Sequence, residues 1–73
     1  MAALMEEIAS ELQRHRKLAG LTQAELASMA GVGKTTVFDL ESGKETVRFA
    51  NLVKVLAVLG LDLRLCSRLE TEP

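Results

Sequence analysis

The stretch Leu21-Thr22-Gln23-Ala24-Glu25-Leu26-Ala27-Ser28-Met29-Ala30-Gly31-Val32-Gly33-Lys34-Thr35-Thr36-Val37-Phe38-Asp39-Leu40-Glu41-Ser42-Gly43 decides the fold. It reads as two short helices joined by a tight turn. Thr22 to Glu25 form a capping box, in which the threonine hydroxyl takes the Glu25 amide and the glutamate reaches back to the cap amide. Leu21 before the cap and Leu26 four helical positions later make a hydrophobic staple. This helix ends near Ala30, and Gly31 suits a left-handed turn residue. The next helix starts after Gly33 and runs through Ser42, with Val32 and Val37 repeating the staple spacing. Gly33 is an acceptable cap, a few tenths of a kcal/mol worse than serine.

A helix-turn-helix makes specific demands on such a pair. A small residue must sit where the first helix touches the second, a glycine suits the turn, and branched apolar residues must point back to hold the crossing. Ala27, Gly31, and Val37 with Leu40 fill these positions. Gln23 opens the unit and Ser42 closes it, so the motif spans residues 23–42.

The flanks extend the helical reading. From about Ala3 to Leu18, Met5, Ile8 and Leu12 recur at helical spacing, with Leu4 and Ala9 alongside. Acids precede Arg14, Arg16 and Lys17 along this helix, an order that suits its dipole, and Gly20 stops it. A fourth helix runs from about Arg48 to Leu59, with Phe49, Leu52, Val53, Leu56 and Leu59 as its expected buried stripe. The period then changes: Leu61, Leu63 and Leu65 alternate with Asp62, Arg64 and Cys66, which predicts a strand over about 61–66. The polar tail beyond is expected to fray.

The chain has 73 residues and reads as one domain, residues 1–73. A lone core of this size rarely supplies more than ~3–5 kcal/mol. The single cysteine, Cys66, excludes an internal disulfide, and with His15 as the single histidine there is no metal-site spacing. A partner chain is the remaining supplement. Neither His15 nor Cys66 has a catalytic partner in sight, so no enzyme, cofactor or metal is expected. No stretch approaches the ~20 apolar residues of a membrane span. Glu6, Glu7 and Glu11, with no early basic residue, argue against a signal peptide. A cytoplasmic, nucleoid-associated protein is expected.

The net charge of −1 sits awkwardly with nucleic-acid binding. Five of the ten acids lie near the ends, however: Glu6, Glu7, Glu11, Glu70 and Glu72. Residues 12–68 hold all nine Lys and Arg against five acids, a balance of +4. An ordinary solvated surface accounts for this charge pattern as well as a DNA-binding one does.

Gly20-Leu21-Thr22-Gln23-Ala24-Glu25-Leu26-Ala27, Ala30-Gly31-Val32, Val37, and Leu40-Glu41-Ser42-Gly43-Lys44 resemble the phage-repressor/Cro-like (XRE) helix-turn-helix family. The resemblance covers roughly Leu12 to Leu61 and includes the first and fourth helices. It implies an all-α, four- to five-helix repressor-like domain. It makes Gln23 a phosphate contact at a helix N-terminus, where amides and dipole favour an anion. It makes the second helix of the motif the recognition helix, presenting Lys34, Thr35, Thr36, Phe38 and Asp39. Lys34 opposes the helix dipole, a local cost best explained by a phosphate or guanine partner. Thr35 or Thr36 can meet a thymine methyl, and Asp39 can accept from a cytosine amino group. Thr36 equally suits a support role at the helix start. Phe38 departs from the polar residue common at its position. It is left open between a thymine methyl and a neighbouring side chain. Lys44 and Arg48 match backbone-phosphate contacts, while Arg16 and Glu41 match a structural salt bridge.

A lone strand needs a partner for its amides and carbonyls, and two copies pairing about a two-fold axis are the simplest closed solution. With the axis through Leu63, Asp62 faces Arg64 of the mate and Leu61 faces Leu65. A strand folded back on its own domain is the competing arrangement. Lys44 to Phe49, Leu52 to Leu56 and Leu59 to Leu63 resemble the HipB-type antitoxins, small dimers that pair with HipA-type kinase toxins. The resemblance implies a homodimeric repressor on an inverted-repeat operator of double-stranded DNA, with a HipA-type kinase as a possible partner. A solitary phage-type repressor and a protein-interaction module without DNA binding are the alternatives, because fold alone does not give function.

Overall fold

A computed structural model describes residues 2–64. The elements in order are α1 (Ala2–Leu18), α2 (Gln23–Ala30), α3 (Lys34–Glu41) and α4 (Phe49–Val58). Among the described residues all regular structure is helical.

The turns follow from local chemistry. Thr22 caps α2, its hydroxyl accepting from the Glu25 amide at 3.0 Å. The Glu25 carboxylate in turn accepts from the Thr22 amide at 2.8 Å. Gly31 ends the helix at φ 72°, in the left-handed region where a Cβ is costly. The Val32 amide then donates to the Ala27 carbonyl at 3.0 Å, folding the chain back for α3. Gly33 caps α3 with no side-chain bond, and Ser42 is its C-cap, so this helix ends one residue before the expected point.

Every element puts apolar residues into one core. Leu12 comes from α1, Leu26 and Ala27 from α2, Val37 and Leu40 from α3, and Leu52, Val55 and Leu56 from α4. Leu26, Val37, Leu40 and Val55 are fully shielded from water. Ala27 is 3% exposed, which is what lets α2 and α3 cross closely. On α1, Met5 and Ala9 are buried with Leu12, Ile8 is half-buried, and Leu4 stays exposed.

The fourth helix corrects the expected stripe. Val55 is buried with Leu52 and Leu56, whereas Phe49 is 67% and Val53 43% exposed. Leu59 is half-buried just past the helix end. This helix is apolar nearly all round, so its periodicity fits two overlapping stripes. Packing against α2 and α3 selects the one centred on Leu52 and Val55.

Leu61 packs partly on the core, and its amide donates to the Leu56 carbonyl at 2.9 Å. Residues 61–64 hold no regular secondary structure in the single chain. Leu65 and Cys66, the rest of the expected strand, lie outside the described residues.

Candidate nucleic-acid interface

Three helices meet at one polar network. Arg16 at the end of α1 pairs with Glu41 at the end of α3: Nε donates to Oε2 at 2.7 Å and a second guanidinium nitrogen to Oε1 at 3.1 Å. A third donates to the Leu21 carbonyl at 2.8 Å. The Glu41 side chain is 3% exposed and that of Arg16 11%. A forked guanidinium suits this bidentate geometry. The hydrogen bond to Glu41 raises the Arg16 pKa above its ordinary value, against an opposing effect of burial. Arg16 is therefore committed to the scaffold.

Gln23, the first residue of α2, joins the same network, its side-chain amide donating to Glu41 Oε1 at 3.2 Å. This contact was not foreseen. It holds the glutamine at the helix N-terminus with one amide hydrogen bound, and the residue remains half-buried rather than extended into solvent. No spacing in the sequence signals it, because it exists only once α2 crosses α3.

The face of α3 opposite Val37 and Leu40 is open. Lys34 and Thr35 are exposed, Phe38 is 55% exposed, and Thr36 and Asp39 are half-buried. Among the described residues neither Lys34 nor Thr35 has a side-chain hydrogen bond or ion pair. Asp39 pairs with Lys44, Nζ to Oδ2 at 3.5 Å, and the Lys44 amide donates to the Asp39 carbonyl at 3.1 Å. Lys44 thus sets a positive charge beside the Asp39 carboxylate while its side chain stays half exposed. That pairing was also not foreseen, although Lys44 follows Asp39 by only five residues. Arg48 is exposed at the N-cap of α4. The Ser42 hydroxyl donates to the Phe38 carbonyl at 2.7 Å and closes the last turn.

A second surface lies between α1, α4 and the segment after it. An open groove of about 590 Å³ is lined by Leu4, Met5, Ile8, Phe49, Leu52 and Leu63 with Arg64. Leu63 is 44% exposed, so Leu4, Phe49 and Leu63 form an apolar rim in water. Among the described residues there is no cluster of metal-ligating side chains and no helix long and apolar enough to cross a membrane.

Short helices in a tight crossing, with a closed inner seam and an open outer face, define a helix-turn-helix domain. The helix-turn-helix family model matches residues 12–66, and the chain belongs to this family, in its XRE-type branch. An uncharacterized HTH-type transcriptional regulator of Sinorhizobium fredii is 44% identical over 48 residues, 66% of this chain and 63% of that protein. The chain therefore matches somewhat under two thirds of that relative's length. Among solved structures, HipB in the HipA-HipB-O2-O3 complex is similar with a TM-score of 0.78 and 26% identity. That match covers 88% of this chain and 90% of the other. A structure described as MDT Protein is similar to the same degree, with the same identity and coverage.

Proposed function

We propose that this protein is a sequence-specific DNA-binding transcriptional repressor that acts as a homodimer. One observation carries the reading: α3 stands on a fully closed seam of Val37 and Leu40 and presents Lys34, Thr35 and Phe38 outward, with Lys44 and Arg48 exposed beyond it. A helix docked in the major groove reads bases with such a row, while flanking cations hold the phosphates. Gln23 takes a phosphate at the start of α2 with the amide hydrogen that Glu41 leaves unused. Thr36 and Asp39 border the row; Asp39, tied to Lys44, contributes little repulsion. Two recognition helices enter successive major grooves about 34–36 Å apart on an inverted repeat. Binding at the gene's own promoter blocks transcription. The protein works in the cytoplasm, on the nucleoid, and has no catalytic role.

The dimer is proposed to form through Leu61, Asp62, Leu63, Arg64 and Leu65, paired antiparallel about Leu63. The apolar rim of Leu4, Phe49 and Leu63 supports a covering partner, and so does the small core. A Leu63→Glu variant is expected to run as a monomer or to unfold. A folded dimeric variant in light scattering would sink this arrangement. The likeness to HipB favours a further role as the antitoxin of a HipA-type kinase, with repression of its own operon. A solitary repressor is the second reading, favoured by the match to a regulator of Sinorhizobium fredii.

The test is fluorescence anisotropy with duplex from upstream of the gene, in excess unrelated DNA and at two salt concentrations. Tight binding that resists competitor, weakens steeply with salt and is lost in Lys34→Ala supports the reading. No preference over unrelated duplex contradicts binding at the gene's own promoter and leaves an operator elsewhere or a protein-interaction module.

A further inference from the structure

The chain has no Trp or Tyr and only two Phe, yet neither phenylalanine enters the core. A domain short of apolar area leaves its two largest apolar side chains in water. Phe49 belongs to the groove between α1 and α4. Phe38 lines neither that groove nor the pocket beside it, and it is 55% exposed. More than half of its surface is thus open to an outside partner.

The position of Phe38 is well held. Val37 before it and Leu40 after it are fully buried. Its carbonyl accepts from both the amide and the hydroxyl of Ser42, at 3.0 and 2.7 Å. The ring therefore projects from a pinned turn, one helical turn beyond Lys34. A benzyl ring has no donor or acceptor for a base edge. In the major groove the apolar feature on offer is the thymine C5-methyl. Its polar neighbour Asp39 is already engaged, drawn to Lys44 at 3.5 Å.

We infer that Phe38 reads the C5-methyl of one thymine in each half-site, so that the operator is specified at this step by a methyl group rather than by a hydrogen bond. This rests on the repressor reading above. Because recognition is apolar, removing the methyl alone weakens binding, with base pairing and every hydrogen-bonding edge unchanged.

The experiment starts from in vitro selection of a random duplex pool with the full chain. Each thymine of the selected site is then replaced by deoxyuridine, one symmetric pair at a time, and binding is measured by anisotropy. One pair is expected to weaken the protein about fourfold per half-site, the effect of exposing one methyl. The same replacement leaves Phe38→Ala unaffected, and Phe38→Leu keeps part of the sensitivity. Circular dichroism checks that both variants remain folded, as expected for an exposed position. A selected site on which no deoxyuridine is felt overturns the inference and leaves the repressor standing. So does a sensitivity that survives in Phe38→Ala. DNA binding unchanged by Phe38→Ala also overturns it and assigns the ring to a protein partner. A pool that yields no enriched sequence overturns the repressor reading itself, and this inference with it.

Discussion

The α2–α3 unit and α4 are neighbours in one core, but they are specified in different ways. In the former, local chemistry settles each step: a capping box starts α2, a left-handed glycine ends it, and Val37 and Leu40 close against Ala27. In α4, as in α3, no side chain caps the start, but here apolar residues run nearly all round. The first unit has one way to fold. The second has an apolar surplus, and part of it remains in water at Phe49 and Val53. The difference separates the face that must be rigid from the face that is available for a partner.

The sharpest way to break this comparison is to remove the seam. Leu40→Ala is expected to cost about 2–5 kcal/mol, because Leu40 is fully buried and the short helices around it have little room to collapse. Urea denaturation followed by circular dichroism measures it. A loss below 1 kcal/mol would mean that α3 is not held by its inner face.

Next in size is the polar network. Glu41→Ala leaves the Arg16 guanidinium, 11% exposed, with the Leu21 carbonyl as its remaining partner, and frees Gln23. Breaking such a pair costs about 3 kcal/mol. Arg16→Lys is expected to recover only part of the loss, because an ammonium cannot make the forked contact. Equal stability of Arg16→Lys and the parent in the same denaturation would remove the bidentate geometry from the explanation.

These two features also show what a sequence makes legible. The start of α2, its glycine stop and the inward anchors of α3 are encoded within a few residues of where they act, so reading along the chain finds them. The pairing of Arg16 with Glu41 came through a family resemblance, since its partners lie 25 residues apart. The Gln23–Glu41 contact was not legible by either route, because it depends on the crossing angle of α2 and α3. In α4 the helical period allowed the stripe through Phe49 and Val53 as readily as the one through Val55. Only the opposing helices decide between them. For the outward face of α3, exposure emerged from the inward anchors, whereas the pairing of Asp39 with Lys44 required the folded loop.

A smaller effect tests the local half of the contrast. Thr22→Ala removes the acceptor of the Glu25 amide and is expected to cost about 1 kcal/mol. Thr22→Ser should cost much less, because serine caps as well. An equal loss for both would show that the threonine methyl, and not the cap, carries the contribution.

The smallest expected effect on the single chain falls on Phe49, and it discriminates most between the two regions. Its side chain is 67% exposed, so Phe49→Ser removes little packing and should change stability by less than about 0.5 kcal/mol at dilution low enough to keep the chain monomeric. If the groove it lines with Leu4 and Leu63 is covered by a second copy, the same substitution destabilises the assembly at higher concentration, because exposed apolar area becomes buried area on association. The melting temperature of the parent should then rise with concentration while that of Phe49→Ser stays nearly flat. Lys34→Ala, on the exposed face of α3 and outside the groove, should keep the parent's concentration dependence. Parallel curves for the parent and Phe49→Ser would mean that the apolar surplus of α4 is not used for self-association, and that its exposed stripe must be sought in a different contact.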